Sequence, residues 1–207
     1  MKSILPRAWF SWSQYSLWKR SKEQYRARYY ENGHDVESAE IIFGKKTARM
    51  LEEKIHDPVL DKIPVYPLME YRVEQRIGNV PFLGFFDSFN KRTKSILEVK
   101  TGHQSWNQSR VNTHDQLVVY SLLCKLAHKK VDPIVKLVWL ETRFKQSVES
   151  FGGIEMIGDG DIEFTGRIEV FERCVTELER QEMKKKIIRV MWEIINDFKK
   201  YNTAKTF

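Results

Sequence analysis

Three runs rich in β-branched and aromatic residues follow one another closely, at 68–77, 80–89 and 95–101. Composition and alternation of that kind predict strands, and the short connections between them predict turns. A helix over about 113–129, "THDQLVVYSLLCKLAHKK", then leads to a fourth strand at 134–142. Three strands, a crossover helix and another strand make an α/β order around a central mixed sheet flanked by helices.

Helical periodicity brackets this core. A first helix is expected over 13–31, with Ser13 as candidate N-cap and Asn32-Gly33 as its stop. A second is expected over 37–56, where Ile41, Gly44, Ala48, Leu51 and Ile55 recur at helical spacing. Beyond the fourth strand, a hairpin around 153–173 is expected to turn at Gly158-Asp159-Gly160-Asp161. A long last helix opens at Thr176, whose partner Glu179 completes a capping box. Its stripe of Met183, Ile187, Met191, Ile194 and Phe198 is expected to be buried, and Lys184, Lys185, Lys186, Lys199 and Lys200 to be solvated. No repeat, low-complexity tract or linker divides the 207 residues, which predicts one domain. Its helical part covers about 10–57, its sheet core about 65–145, and its terminal hairpin and helix about 150–203.

Hydrophobic residues make up 42% and aromatics 13%, enough for a folded core rather than disorder. The net charge of +7 suits a polyanionic partner such as nucleic acid. Cys124 and Cys174 form no CxxC pair, which excludes a zinc ribbon and a four-cysteine iron–sulfur cluster. Two reduced, buried thiols in a cytoplasmic protein are expected instead. "MKSILPRAWFSWSQ" holds no signal-peptide run, and no later stretch spans a bilayer, so no membrane role is expected. The five histidines show no paired metal spacing, and no GxxxxGK[ST] stretch exists, so no nucleotide cofactor is expected.

"GFFDSFNKRTKSILEVKTG", residues 84–102, sets charges among large apolar side chains. Strand parity puts Ile96, Glu98 and Lys100 on one face and Leu97 and Val99 on the other. A turn centred between Arg92 and Thr93 places Asp87 opposite Glu98, with Cβ atoms about 4.5–5.5 Å apart. Two such acids in a half-buried setting repel unless a cation intervenes. Lys100 supplies one positive charge, and a divalent metal would supply two more. The plain alternative is a solvated hairpin face of alternating charge.

Asp87 followed by Glu98-Val99-Lys100 resembles the PD-(D/E)XK nuclease signature. The wider string resembles the RecB-like exonuclease branch, with its phage and mitochondrial genome maintenance exonucleases. "SWSQYSLWKRSKEQYRARYY" looks like that branch's opening helix, and "FGKKTARMLEE" like its first motif. "LGFFDSF" and "LEVKTG" match the second and third motifs, and Gln116 with Tyr120 gives QxxxY on the following helix. The resemblance runs from about residue 10 to 145.

This resemblance implies a metal-dependent DNA nuclease that processes DNA ends, in repair or recombination, with a helicase or recombination partner. Asp87 and Glu98 would ligate Mg²⁺ or Mn²⁺, one ion or two, with the main-chain carbonyl of Val99 as a further oxygen. Lys100 would orient or help deprotonate the attacking water and offset charge in the transition state. The first motif departs from the family, because Ala48 stands where relatives carry a metal-binding His. Glu52, four residues on, keeps its helical face and is the remaining candidate ligand there. Gln116 and Tyr120 would face the site, supporting the lysine or touching nucleic acid. Thr113 and Gln116 also read as a plain capping box, and both readings stand. In "GHQSWNQSRVNT", Trp106 is expected either to stack on an unpaired base or to pack beneath its loop, and Arg110 to hold phosphate. The same core serves structure-specific endonucleases, and Ala48 also fits a nucleic-acid-binding subunit that does not cleave.

Overall fold

A computed structural model describes residues 6–33, 37–129, 132–145, 150–151, 154–155 and 162–204. Phe10–Ser11 (β1) runs directly into helix α1 (Trp12–Arg20), and α2 (Lys22–Tyr29) follows. The single helix expected here is broken because Ser21 turns extended and caps α2, its hydroxyl accepting from the Gln24 amide at 3.2 Å. Ser11 rather than Ser13 caps α1. Asn32 takes φ 55° and the Gly33 amide closes on the Ala27 carbonyl at 2.8 Å, which stops α2 where expected. Helix α3 (Ala39–Glu52) occupies the middle of its expected span.

The sheet contains β2 (Leu68–Ile77), β3 (Val80–Asn90), β4 (Ser95–Gly102), β5 (Ile134–Phe144) and β8 (Ile162–Cys174). Between β4 and β5 lie the crossover helices α4 (Gln108–Asn112) and α5 (Asp115–Ala127). A small ribbon pairs β6 (Ser150–Phe151) with β7 (Ile154–Glu155). The turn expected at Gly158-Asp159-Gly160-Asp161 lies outside the described residues. The second arm of that expected hairpin is β8, which pairs antiparallel along β5. Strand β5 runs parallel to β4, so the sheet is mixed, as its order of elements predicts.

Strand β3 has β2 along one edge. Its other edge is shared by β1, parallel at Phe82 and Leu83, and by β4, antiparallel from Ser88 to Asn90. Between those two partners the edge is open. The register there, Ser88 to Leu97 and Phe89 to Ile96, is the one strand parity predicts.

One face of the sheet carries the larger core. Phe82, Phe86, Phe89, Ile96, Leu137 and Trp139 pack there against α1, α2, α5 and helix α6 (Glu177–Ala204). At Gly84 an added Cβ would come within 2.6 Å of Leu123 Cδ1, so glycine lets α5 lie close against β3. Met183, Ile187, Met191 and Ile194 of α6 are buried as expected, while Phe198 is half-buried against the Tyr30 ring. The Thr176–Glu179 capping box forms in both directions, at 3.2 and 2.7 Å. The second face carries a smaller cluster, in which Leu97, Val138 and Leu140 meet Leu51, Leu60 and Ile63. Cys124 is buried, whereas Cys174 is exposed. No helix among the described residues is long and apolar enough to cross a membrane.

Candidate active site

The ladder between β3 and β4 stops at Ser88–Leu97, one pair short of the two acids. In place of the next backbone bond, Asp87 Oδ2 accepts from the Val99 amide at 2.7 Å. A carboxylate thus stands where a carbonyl would, and the strands part at that point. The N–H and C=O of one strand residue point to the same edge, so the Val99 carbonyl faces the same opening. On the other side of β3 the ladder also skips a pair, Glu70 with Asp87, and Glu70 takes φ 43°. Such a conformation costs a glutamate of order 1–3 kcal/mol.

Glu98 points toward α5 and is 2% exposed. Its Oε1 accepts from Lys100 Nζ and, at 2.8 Å, from Gln116 Nε2. Its Oε2 is buried without any partner. Gln116 Oε1 accepts from Lys100 Nζ at 3.0 Å, and its amide nitrogen also donates to the Tyr120 hydroxyl at 2.9 Å. The amide orientation is forced, since only oxygen can face the ammonium and only nitrogen the carboxylate. Thr113 does not cap α5: its hydroxyl donates back to the Ser109 and Arg110 carbonyls at 3.2 Å. Gln116 is thereby left for Glu98 and Lys100, and both it and Tyr120 are too enclosed to meet a polymer directly.

Burial lowers the affinity of Lys100 for its proton, but the charge and hydrogen bond of Glu98, with Asp87 adding, outweigh it. Lys100 therefore rests as an ammonium. Burial and the charge of Glu98 push the Asp87 carboxyl well above the usual carboxylate range, against the pull of the Val99 amide and Lys100. Burial, then Glu98 and Asp87, keep the Tyr120 hydroxyl protonated. One ammonium does not satisfy two acids in this setting.

Asp87, Glu98, Val99 and Lys100 line a cavity of about 410 Å³. Its opposite wall is α3, through Ile41, Gly44, Ala48 and Leu51, so most of the apolar stripe read from sequence faces the cavity. Ile55, at the end of that stripe, is 45% exposed. Glu52 lies exposed at the end of α3 and does not line the cavity. Glu70, absent from the sequence reading, lines it. A larger cavity of about 530 Å³ lies between residues 77–81 and α6, but none of its walls carries an acid. Chemistry rather than size marks the site.

Trp106 departs from the base-stacking expectation. It is 8% exposed, packed in the larger core against His114, with the Arg110 guanidinium 4.0 Å above its ring. Neither face is free for a base. Arg110 itself stays exposed at the surface. The turn before Gln116 is clamped by Arg173 of β8, another residue the sequence did not single out. Its buried guanidinium donates to the Val111 and His114 carbonyls at 3.2 and 2.8 Å and to Glu179 at 2.8 Å.

His114 Nδ1 is buried without a partner. Burial, then Lys100, Arg110 and Arg173, lower its pKa from the usual 6.5 to about 4. A histidine depressed in this way contributes stability above its unfolded pKa and loses it as pH falls toward the folded value. Acidification from pH 7 to 4.5 should therefore cost about 1–2 kcal/mol through this partly exposed ring, allowing for screening. Urea midpoints for wild type and His114→Gln at both pH values test this. The variant should lose less, and an equal loss would remove His114 from the account.

Among the described residues no three His, Cys, Asp or Glu side chains converge closely enough to hold an ion unaided. Two carboxylates, one of them with an unpartnered buried oxygen, and one carbonyl do suit a hard cation that keeps most of its water. No family model matches the chain, and no curated protein matches it. Its fold is similar to a crystal structure from Eubacterium rectale solved under the name "Putative exonuclease". The TM-score is 0.60 at 11% identity, over 92% of this chain and 82% of that one. At that identity the likeness shows a shared fold.

Proposed function

We propose that this chain is a divalent-metal-dependent DNA nuclease of the RecB-like PD-(D/E)XK kind, acting on DNA ends as an exonuclease. One observation carries the reading. Where β3 and β4 part, one ammonium is bonded to Glu98 and acts on Asp87 through its charge, and a buried oxygen of Glu98 is left without a partner. The name borne by the structure of similar fold points the same way.

Asp87, Glu98 and the Val99 carbonyl would hold Mg²⁺ or Mn²⁺. When bound, the ion supplies charge neutralisation at the phosphate and a water of lowered pKa. Lys100 holds its proton toward the cavity, orients the attacking water and offsets charge on the phosphoryl oxygens. Gln116 fixes Lys100 against Glu98, and Tyr120 fixes Gln116. Arg110, exposed beside the clamped turn, would meet a phosphate.

Ala48 favours a second reading, in which the chain binds DNA without cutting it, because that wall offers no carboxylate or imidazole to the cavity. Labelled single-stranded and duplex DNA, incubated with Mg²⁺, Mn²⁺ or EDTA, separates the two. Stepwise loss of terminal nucleotides with either ion and none with EDTA is expected. Binding without cleavage under every condition favours the second reading, and internal cuts would point to an endonuclease.

A further inference from the structure

Four non-glycine residues among those described have a left-handed φ. Asn32, Lys54 and Lys94 lie outside helices and strands, where such a backbone is common. Glu70 alone adopts it inside a strand, and the β2–β3 ladder skips its pair with Asp87 there. A strained backbone within a sheet persists only where the surroundings over-determine it, and such outliers cluster at functional sites.

The Glu70 side chain is partly buried and lines the same cavity as Asp87 and Glu98. Among the described residues no hydrogen bond or ion pair reaches it; the charges of Glu52 and Glu98 act on it, and its own acts on Asp87. Both lysines in the cavity wall are engaged elsewhere, Lys45 with Glu37 and Lys100 with Glu98 and Gln116. Independently, Glu98 Oε2 is buried with no donor in reach. Two unmet carboxylates on one cavity, opposite the small side chain of Ala48, call for a positive ligand with room for its water shell.

We propose that Glu70 is part of the cation site. Its carboxylate holds, through the ion's water, the divalent cation that Asp87 and Glu98 ligate, on the side left open at Ala48. Contact through water follows from the absence of any three converging ligands among the described residues. The inference rests on the metal-dependent reading above.

Calorimetric titration with Mn²⁺, without DNA, tests it on the full chain as wild type, Glu70→Gln, Glu70→Gly and Asp87→Asn. Removing the Glu70 charge should weaken Mn²⁺ binding by about 10- to 100-fold, and Asp87→Asn should weaken it further. Glu70→Gly should also raise the melting temperature of the metal-free protein, since glycine accepts this φ without strain. Mn²⁺ binding by both Glu70 variants within twofold of wild type, with Asp87→Asn still impaired, overturns the role of Glu70 and leaves the nuclease reading in place. No Mn²⁺ binding by any of the four proteins overturns the metal reading, and Glu70 with it.

Discussion

Lys100→Ala is expected to slow DNA cleavage by roughly 10³-fold, within the range for losing a positioned proton-transfer or charge-stabilising group. DNA binding should change little, because Lys100 lies among Glu98, Gln116 and the cavity rather than on the outer surface. The same change strips from Glu98, which is 2% exposed, its only ion-pair partner among the described residues. Breaking a buried pair on one side costs about 3–5 kcal/mol, so the metal-free variant should be much less stable. Mn²⁺ should restore much of that stability but not the cleavage. This split separates a catalytic amine from a purely structural one. A variant that turns over DNA like wild type would refute the role assigned to Lys100.

The second large effect is the pH dependence of metal-free stability. The folded-state pKa of Asp87 is raised by burial and by Glu98. A carboxyl raised in this way contributes stability that is complete below its unfolded pKa near 3.9 and is lost as pH rises through the folded value. In EDTA the melting temperature should accordingly fall as pH climbs from the acid range toward neutrality and above. The opposing loss from His114 is confined to the acid side, between about 6.5 and about 4. A divalent ion binds the ionised acid, so the stabilisation it confers should grow over the same rise. Melting curves at pH 6 and 8, each with EDTA and with Mn²⁺, measure both trends. A gain from Mn²⁺ that shrinks at pH 8 would contradict the assignment.

Much of this arrangement was legible because strands obey a strict parity. Alternation in "SILEVKTG" puts Ile96, Glu98 and Lys100 together, and the turn position sets the pairing of Ser88 with Leu97 found in the structure. Parity says nothing about where a ladder ends, so the replacement of the next bond by the Asp87–Val99 contact was not readable. Glu70 escaped for a related reason. Left-handed φ is signalled by glycine or asparagine, and a glutamate in "PLMEYRVEQ" carries no such mark. Its signal was weak but present, as the one acid in the first half of a strand beside the Asp87 strand. The break at Ser21 was hidden because serine, although favoured at caps, also occurs within helices. Trp106 shows the converse, since an aromatic in a loop reads alike whether it waits for a base or fills a core. Packing in the larger core, against His114 and under the Arg110 guanidinium, decided it.

The central claim is that one divalent ion sits where β3 and β4 part, held by both acids beside the Lys100 amine. Anomalous scattering from crystals soaked in Mn²⁺ tests it directly. A peak about 2.1 Å from oxygens of Asp87 and Glu98 and from the Val99 carbonyl is predicted. A fully occupied peak elsewhere, or none at saturating Mn²⁺, would contradict it.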